Sequence, residues 1–243
     1  MELEEYERMA TAETTHWWYG TTRALLQDLL SPHLPAGGRF LDAGGGTGAT
    51  GAWMGGSGRV VLADVELLAL QLAKRDHAEM AAAALADVSR LPFADGSFDA
   101  TLCVTVLCHE LIPDPAATVR ELARVTRPGG HVCLMEPGVR RLRRAHDRVT
   151  HSARRFSRRD LAGLVTAAGL EPVRSTAAYS FLVPPAAVKA VLERGKVDSD
   201  IDRNESGLAG LLPRVAWVER ALLKRMDLPA GLSVIAIGRR PVG

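Results

Sequence analysis

Cysteine, aromatic side chains, net charge and long apolar runs are all scarce in this chain of 243 residues. The three cysteines have no Cys-x-x-Cys spacing, and their odd number in apolar segments predicts buried free thiols in a reducing cytoplasm. A net charge of +2 is too small to indicate a nucleic-acid partner by itself. No apolar run reaches the ~18 residues of a membrane span, and the acidic start of the chain is unlike a secretory signal. We therefore expect a cytoplasmic protein that acts without membrane or nucleic acid.

Glycine and apolar residues, by contrast, are abundant, with 23 glycines and a hydrophobic fraction of 47%. That fraction is enough for a sizeable core, and the length suits one α/β domain with an insertion, or at most two small domains. Residues 40–52 read Phe-Leu-Asp-Ala-Gly-Gly-Gly-Thr-Gly-Ala-Thr-Gly-Ala, an apolar run that ends in an acid and then in glycines. This pattern predicts a strand, a tight turn and a helix whose free N–H groups hold a small ligand.

Apolar and turn-forming segments alternate along the rest of the chain. They predict two amphipathic helices at 4–11 and 20–30, separated by His-Trp-Trp-Tyr, and then alternating strands and helices. The strands are predicted at residues 39–42, 59–63, 80–86, 97–104, 131–135, 173–179 and 233–238. The later helices are predicted at residues 47–54, 67–77, 116–124, 158–168, 186–194 and 214–226. Such alternation indicates a parallel sheet with helices on both faces.

The glycine segment alone fits more than one cofactor. Gly44-x-Gly46-x-x-Ala49 satisfies the dinucleotide fingerprint with alanine at its third place. Asp64 follows Gly44 by 20 residues, where an acid grips a ribose diol. These residues alone make NAD a fair candidate for the cofactor. They are also compatible with a glycine-rich turn that binds no ligand.

A series of motifs in order resembles the class I S-adenosylmethionine-dependent methyltransferases, in particular the ubiquinone-biosynthesis-type subgroup. They are Leu41-Asp42-x-Gly44-x-Gly46-x-Gly48, Asp64, Ala86-Asp87, Leu91-Pro92-Phe93-x-Asp95-x-x-Phe98-Asp99, residues 103–109 and Arg127-Pro128-Gly129-Gly130. More loosely, the His16-Trp17-Trp18-Tyr19 segment and parts of the C-terminal half resemble small-molecule methyltransferases of bacterial secondary metabolism. The resemblance therefore extends over most of the chain.

The resemblance implies a Rossmann-like, seven-stranded, mostly parallel sheet with the last strand antiparallel, an N-terminal helical cap and an insertion before the last strand. It implies S-adenosyl-L-methionine as cofactor and S-adenosyl-L-homocysteine as product. At the matching positions, Asp64 would accept hydrogen bonds from both ribose hydroxyls, Asp87 from the adenine amino group, and Asp42 would brace the loop and meet the ammonium group. The implied cofactor-binding set is Asp42, Gly44, Gly46, Gly48, Asp64, Val65, Asp87, Val88, Cys103 and Arg23. Capping, packing and a solvated surface stay open for Asp87, Cys103 and Arg23, respectively.

Methyl transfer to a hydroxyl, carboxyl or ammonium group can need a base, and histidine is the natural candidate because its pKa lies near neutrality. His109 follows the fourth strand, at the sheet edge where ligands bind in open α/β folds. His16 and Tyr19 belong to the predicted cap, and His151 to the loop after the fifth strand. Each of these four side chains is a candidate for catalysis, and a packing role stays open for them.

Residues 140–159 include nine arginines. Their guanidinium groups suit an acidic acceptor such as a carboxylate or phosphate, while RNA binding and a solvated surface are the other interpretations. The arginines also disfavour a metal at His146, Asp147 and His151, because they repel a cation. We expect no metal and a small, possibly acidic acceptor, with O- or N-methylation ahead of C-methylation, in a monomer or homodimer.

The sequence predicts four divisions: a cap at 1–36, a cofactor-binding core at 37–179, a helical insertion at 180–231 and a final strand at 232–243. The insertion is expected to shape the acceptor pocket or a dimer contact. Two other functions stay open at this point, an NAD-dependent oxidoreductase and a non-catalytic partner subunit of the same fold.

Overall fold

The computed structural model describes residues 3–78, 80–140, 142, 151–192 and 211–242, and within them seven strands form one sheet. The strands are β1 Gly38–Ala43, β2 Gly58–Asp64, β3 Ala82–Leu85, β4 Phe98–Val104, β5 Thr126–Pro137, β6 Glu171–Ala178 and β7 Ser233–Arg239. The helices are α1 Leu3–Thr15, α2 Trp17–Leu30, α3 Leu67–Asp76, α4 Pro115–Val125, α5 Arg158–Ala167, α6 Val183–Leu192 and α7 Leu212–Leu223.

The sheet has the order β3-β2-β1-β4-β5-β7-β6. Pairing is parallel from β3 through β5, whereas β7 runs antiparallel to both β5 and β6. The predicted mostly parallel sheet with its last strand antiparallel is thus confirmed. Strand order reverses between β1 and β4, and ligands of open α/β sheets bind at the carboxyl ends of the strands beside such a reversal. The turn after β1 and the loop after β4 are therefore placed to form a site.

Alternating strand residues divide the core into two clusters, one on each face of the sheet. Leu41 and Val132 belong to the cluster that contains residues of α4 and α5. Their strand neighbours Phe40 and Cys133 belong to the cluster that contains residues of α2 and α7. The cap helix α2 is therefore part of the core and not a loosely attached segment.

Local capping explains where the two helices on the first face begin. Asp114 precedes Pro115, and its carboxylate accepts the N–H groups of Ala116 and Ala117 at 2.9 and 3.0 Å. Helix α5 starts with a capping box, in which Ser157 and Asp160 each bind the other's backbone N–H. These residues fix the helix starts close to the predicted positions.

One predicted helix, at residues 47–54, is wrong. The chain there makes turns, followed by a short 3₁₀ segment, Ala52–Gly56. Gly48 has a φ of +88°, outside the right-handed helical region, and each glycine in a helix interior costs about 1 kcal/mol relative to alanine. Several glycines in one short segment therefore favour turns over a regular helix.

The cap helices also differ from the prediction. Helix α1 continues to Thr15 and α2 begins at Trp17, so the aromatic cluster forms the first turn of α2 and does not link two helices. Strand β5 begins at Thr126, earlier than the predicted start at residue 131, and its first residues pair irregularly with β4. Residues 193–210 of the predicted insertion lie outside the described residues.

Candidate functional site

The turn after β1 has the backbone that its glycines predict. Gly44, Gly46 and Gly48 have φ values of +69°, +57° and +88°, which side-chain-bearing residues rarely adopt. A Cβ on Gly44 would lie 2.5 Å from Val106, and one on Gly46 would lie 2.9 Å from Met9 of α1. The turn is thus enclosed by the loop after β4 on one side and by the cap on the other.

Asp64, at the end of β2, is bound to this turn. Its Oδ2 accepts the N–H of Gly46 at 2.9 Å, and its Oδ1 accepts the N–H of Glu66 at 3.0 Å. The side chain is buried, and burial raises its pKa although the two N–H groups lower it. The carboxylate therefore lies at the glycine turn, with each oxygen already holding one donor.

Two further buried carboxyl groups lie at the same turn. Burial, with Asp64 and Glu13 nearby, raises the pKa of Asp42 to about 8. Glu13 of α1 lies beside Thr47, and burial raises its pKa to about 7. Among the described residues, the Oδ2 of Asp42 has no hydrogen-bond partner. Three carboxyl groups thus converge on one turn, where a nearby positive charge would favour their ionised forms.

Glu13 was not predicted as a site residue. It stands three residues before His16 and beyond the end of the helix predicted at 4–11. Only the packing of α1 over the glycine turn buries it, leaving 5% of its surface exposed. The sequence feature that could have indicated Glu13 was its position three residues before the aromatic cluster that begins at His16.

The predicted adenine-binding residues follow β3. Asp87 is exposed, and its Oδ1 accepts the N–H of Ser89 at 2.8 Å, whereas Val88 is buried. Val65, directly after Asp64, is 48% exposed. Cys103 is fully buried in β4, and burial raises the pKa of its thiol well above the ordinary value, so it is not a nucleophile.

The predicted cap residues hold the two N-terminal helices together. The Nδ1 of His16 accepts the N–H of Trp18 at 3.3 Å and caps α2. Arg23 donates from Nη1 to the carbonyl of Glu13 at 3.0 Å. Tyr19 packs edge-to-face on Trp18, with ring centroids 5.0 Å apart. These contacts place Arg23 against the backbone of Glu13, whereas His16 and Tyr19 contact Trp18 at the start of α2.

The two histidines predicted on the loops after β4 and β5 come together. The ring centroids of His109 and His151 are 6.0 Å apart. The Nδ1 of His151 lies 2.7 Å from Oε1 of Glu110, a residue that was not predicted. The Nδ1 of His109 accepts the N–H of Leu111 at 3.3 Å, and burial lowers the pKa of His109. The structure thus pairs His151 with a carboxylate and uses a ring nitrogen of His109 in a turn.

Arginines in the described part of 140–159 bind backbone carbonyls. Arg154 donates to Leu107 at 3.2 Å and Arg155 to Gly138 at 3.1 Å. Arg158 donates to the carbonyl of Leu228 at 3.0 Å. These contacts link loops and helices to the sheet. His146 and Asp147 fall outside the described residues, and within the described ones no group of three or more His, Cys, Asp and Glu could hold a metal.

Backbone strain is concentrated at the carboxyl edge of the sheet. Thr105 after β4, Val139 after β5 and Tyr179 after β6 have φ values of +56°, +57° and +59°. His151, on the same side, has a φ of +50°. Strained non-glycine residues cluster at functional sites, and here they mark the edge that also holds the glycine turn. In the part of the chain that is described, no helix has the length and apolar character needed to cross a membrane.

Comparison with known proteins gives matches for most of the chain. The family model described as "Methyltransferase domain" matches residues 41–134. The ubiquinone biosynthesis O-methyltransferase of Ralstonia nicotianae is 32% identical over 205 residues, which cover 71% of this chain and 82% of that protein. The demethylmenaquinone methyltransferase of Mycolicibacterium vanbaalenii is 39% identical over 122 residues, about half of each protein (49% and 48%).

A solved structure supports the fold. The crystal structure of the [4+2]-cyclase SpnF superimposes with a TM-score of 0.60 at 23% identity, covering 90% of this chain and 81% of that one. At this identity the likeness concerns the fold alone.

Proposed function

Since this chain belongs to the S-adenosylmethionine-dependent methyltransferases, we propose that it methylates an oxygen or nitrogen atom of a small molecule in bacterial secondary metabolism. The observation that carries this proposal is the convergence of Glu13, Asp42 and Asp64 on one glycine turn. A relative whose name specifies O-methylation, similar over most of its length, favours oxygen as the acceptor atom.

The residues at the glycine turn suit this cofactor. When bound, S-adenosylmethionine supplies a methyl carbon on a sulfonium, which a nucleophile displaces. Asp64 would hold the ribose hydroxyls, because each carboxylate oxygen has a second lone pair beside the one that accepts a backbone N–H. Asp42 and Glu13 would face the cationic end, and the unpartnered Oδ2 of Asp42 would gain a donor there. Asp87 and Val88 would face the adenine, as the family resemblance implies.

The pair formed by His151 and Glu110 suits the work of a general base. If the Nδ1–H of His151 donates to Glu110, the lone pair of the neutral ring lies on Nε2. A base oriented by a carboxylate in this way can take a proton from an acceptor hydroxyl or ammonium group. In His109 the Nδ1 lone pair already accepts the Leu111 N–H, so we assign the base to His151.

The cap (1–36) and the insertion (180–231) flank the core in this proposal. The cap would close over the cofactor through Met9 and Glu13, and the insertion would shape the acceptor pocket. The cofactor part of the proposal is tested by calorimetric titration with S-adenosylmethionine, S-adenosylhomocysteine and NAD. We expect the first two to bind and NAD to give no heat of binding.

The acceptor part is tested with S-adenosylmethionine carrying a labelled methyl group and a panel of phenols, alcohols, amines and activated carbon acids. Product mass and NMR locate the new methyl group. We expect it on oxygen or nitrogen, and a methyl group found on carbon would contradict the proposed atom class.

Replacing the proposed base separates the two histidines. His151→Gln should lower the turnover number ~10²–10⁴-fold, the usual contribution of a general base, and leave cofactor affinity unchanged. His109→Gln is the matched control, since it lies on the same edge and retains a hydrogen-bonding side chain. A large loss in His109→Gln with normal turnover in His151→Gln would transfer the role to His109.

A further inference from the structure

The loop after β4, residues 105–112, joins the two halves of the site. It begins with Thr105 in the left-handed region, and Val106 packs against Gly44 of the glycine turn. The same loop carries His109 and Glu110, the partner of His151. Any movement of this loop would displace the proposed base relative to the cofactor turn.

A single buried carboxylate holds the first half of this loop. Glu136, near the end of β5, is fully buried. Its Oε1 accepts the N–H groups of Val106 at 3.1 Å and Leu107 at 2.8 Å, and its Oε2 accepts that of Cys108 at 3.0 Å. Three consecutive donors converge on one side chain from a strand 28 to 30 residues away. Hydrogen bonds to an ionised acceptor are about twice as strong as neutral ones.

The other side of the loop is held through its carbonyl groups. The Nη1 of Arg154 donates to the carbonyls of both Leu107 and Ile112. The carbonyl of Cys108 accepts the N–H groups of Ala153 and Arg154 at 2.9 and 3.2 Å. Glu136 therefore binds N–H groups of the loop, while residues 151–155, here called the arginine segment, bind its C=O groups. Together these contacts fix the position and the orientation of the peptide planes in the loop.

The arginine segment is continuous with the proposed base. His109 and Ser152 form an isolated antiparallel bridge, and the N–H of Glu110 donates to the carbonyl of His151 at 3.0 Å. The contact between His151 and Glu110 thus depends on the register between the loop and this segment. Glu136 holds the loop against strand β5 and thereby fixes the position of the loop in that register.

We propose that Glu136 is a positioning residue for methyl transfer: by holding three N–H groups of the loop after β4, it sets the contact between Glu110 and His151. This inference rests on the proposed function, because it assumes that His151 is the base. Glu136 is fully buried, and its effect passes through the loop.

Replacing Glu136 by glutamine tests this role with a minimal change in structure. Glu136→Gln keeps the shape and volume of the side chain but replaces one acceptor oxygen by an NH₂ group. That NH₂ group would face the backbone N–H of either Cys108 or the Val106–Leu107 pair, donor against donor. Glu219→Gln is the matched control, because Glu219 is also a buried glutamate, and it binds the N–H groups of Tyr179 and Ser180 elsewhere at the sheet edge.

The first two measurements need neither cofactor nor acceptor. In Glu136→Gln we expect faster amide hydrogen exchange at Val106, Leu107 and Cys108, and a changed ¹⁵N shift of His151 Nδ1, which reports its hydrogen bond to Glu110. Glu219→Gln should leave both signals as in the parent protein. Unchanged exchange and an unchanged His151 signal in folded Glu136→Gln would overturn the proposal, whether or not the proposed reaction is correct.

Kinetics then separates positioning from general stability. A small misplacement of a catalytic group can cost about 10²-fold in rate, so kcat of Glu136→Gln should fall by about that factor while the dissociation constant for S-adenosylmethionine changes far less. Equal losses in Glu136→Gln and Glu219→Gln would indicate a merely structural role and contradict the proposal. If Glu136→Gln does not fold, Arg154→Ala must give the same exchange and His151 signals, and their absence would equally overturn it.

Discussion

At the scale of single residues, the site is dominated by buried carboxyl groups with different partners. Asp64 holds backbone N–H groups, Asp42 keeps an oxygen without a partner, and Glu136 holds a whole loop. The sequence identified Asp42 and Asp64 because acids at strand ends follow a known pattern. It did not identify Glu13, Glu110 or Glu136, because their partners are distant in the chain or come from packing.

Removal of the Asp64 carboxylate should weaken cofactor binding. Asp64→Ala is expected to raise the binding free energy of S-adenosylmethionine by roughly 1–3 kcal/mol, the cost of losing a charged hydrogen-bond acceptor. Calorimetry measures the change, and Glu171→Ala, at an exposed acid that starts β6, is the control. Unchanged affinity in Asp64→Ala would show that this residue does not hold the ribose.

At the scale of elements, a buried tyrosine is one of the residues that attach the cap to the core. Tyr179 follows β6, is 1% exposed, and its hydroxyl lies 2.6 Å from that of Thr22 in α2. The rings of Trp17 and Trp18 lie 6.1 and 6.2 Å from the Tyr179 ring. Helix α2 is thereby fixed to the edge of the sheet on which the site lies, and α1, which covers the glycine turn, directly precedes it in the chain.

Loss of the Tyr179 hydroxyl should destabilise the protein. Tyr179→Phe leaves the buried Thr22 hydroxyl without a partner, which costs about 1–3 kcal/mol of unfolding free energy. The double variant Thr22→Val, Tyr179→Phe should recover much of that loss because both polar groups are removed. Urea denaturation measures both effects, and equal stability of Tyr179→Phe and the parent protein would contradict this account.

At the scale of the whole molecule, ionisable groups with opposite pKa shifts lie at opposite ends of the strands. Burial raises the pKa of Asp42 to about 8 and of Glu13 and Glu136 to about 7 at the carboxyl edge. Near the amino end of β5, burial lowers the pKa of His131 to about 4, where its ring stacks on His33 at 4.4 Å. Stability should therefore depend on pH with contributions of both signs.

The carboxyl groups predict lower stability at alkaline pH. Carboxyl groups ionise near pH ~4 in the unfolded chain, so the cofactor-free folded protein holds more protons up to pH ~8 and loses stability as pH rises through this window. His131 has the opposite effect: its contribution is lost as pH falls from ~6.5 towards ~4. The melting temperature should therefore decrease from pH ~6.5 to pH ~8.5.

Thermal denaturation across this pH range tests the prediction. Asp42→Asn should flatten the decrease, because it removes the group with the highest of these pKa values, and Glu171→Gln, at the exposed start of β6, should not. S-Adenosylmethionine should raise the melting temperature more at pH ~8.5 than at pH ~6.5, since a cationic ligand favours ionised carboxylates. A melting temperature that does not change with pH would contradict the assigned burial effects.

Most of the fold could be predicted from local patterns. Apolar runs that reflect burial on a sheet predicted the strands close to their observed positions. The exception is β3, which is alanine-rich and largely exposed and was predicted from its place in the alternation of strands and helices. The prediction of a helix at 47–54 was wrong. The sequence indicates a turn after β1, but it does not show how many residues the glycines of that turn keep in a non-helical conformation. The ends of α1 and α2 were misplaced because His16 caps a helix that the aromatic residues had been expected to precede.

The sequence by itself determined the glycine turn, the acids at the strand ends and the family to which they point, because these depend on residues adjacent in the chain. Only the tertiary structure decided that Glu13 is buried over that turn, that Glu110 contacts the Nδ1 of His151, and that Glu136 holds the loop after β4. Their partners are brought together by the order of strands and by helix packing, and side-chain contacts over such separations have no local sequence pattern.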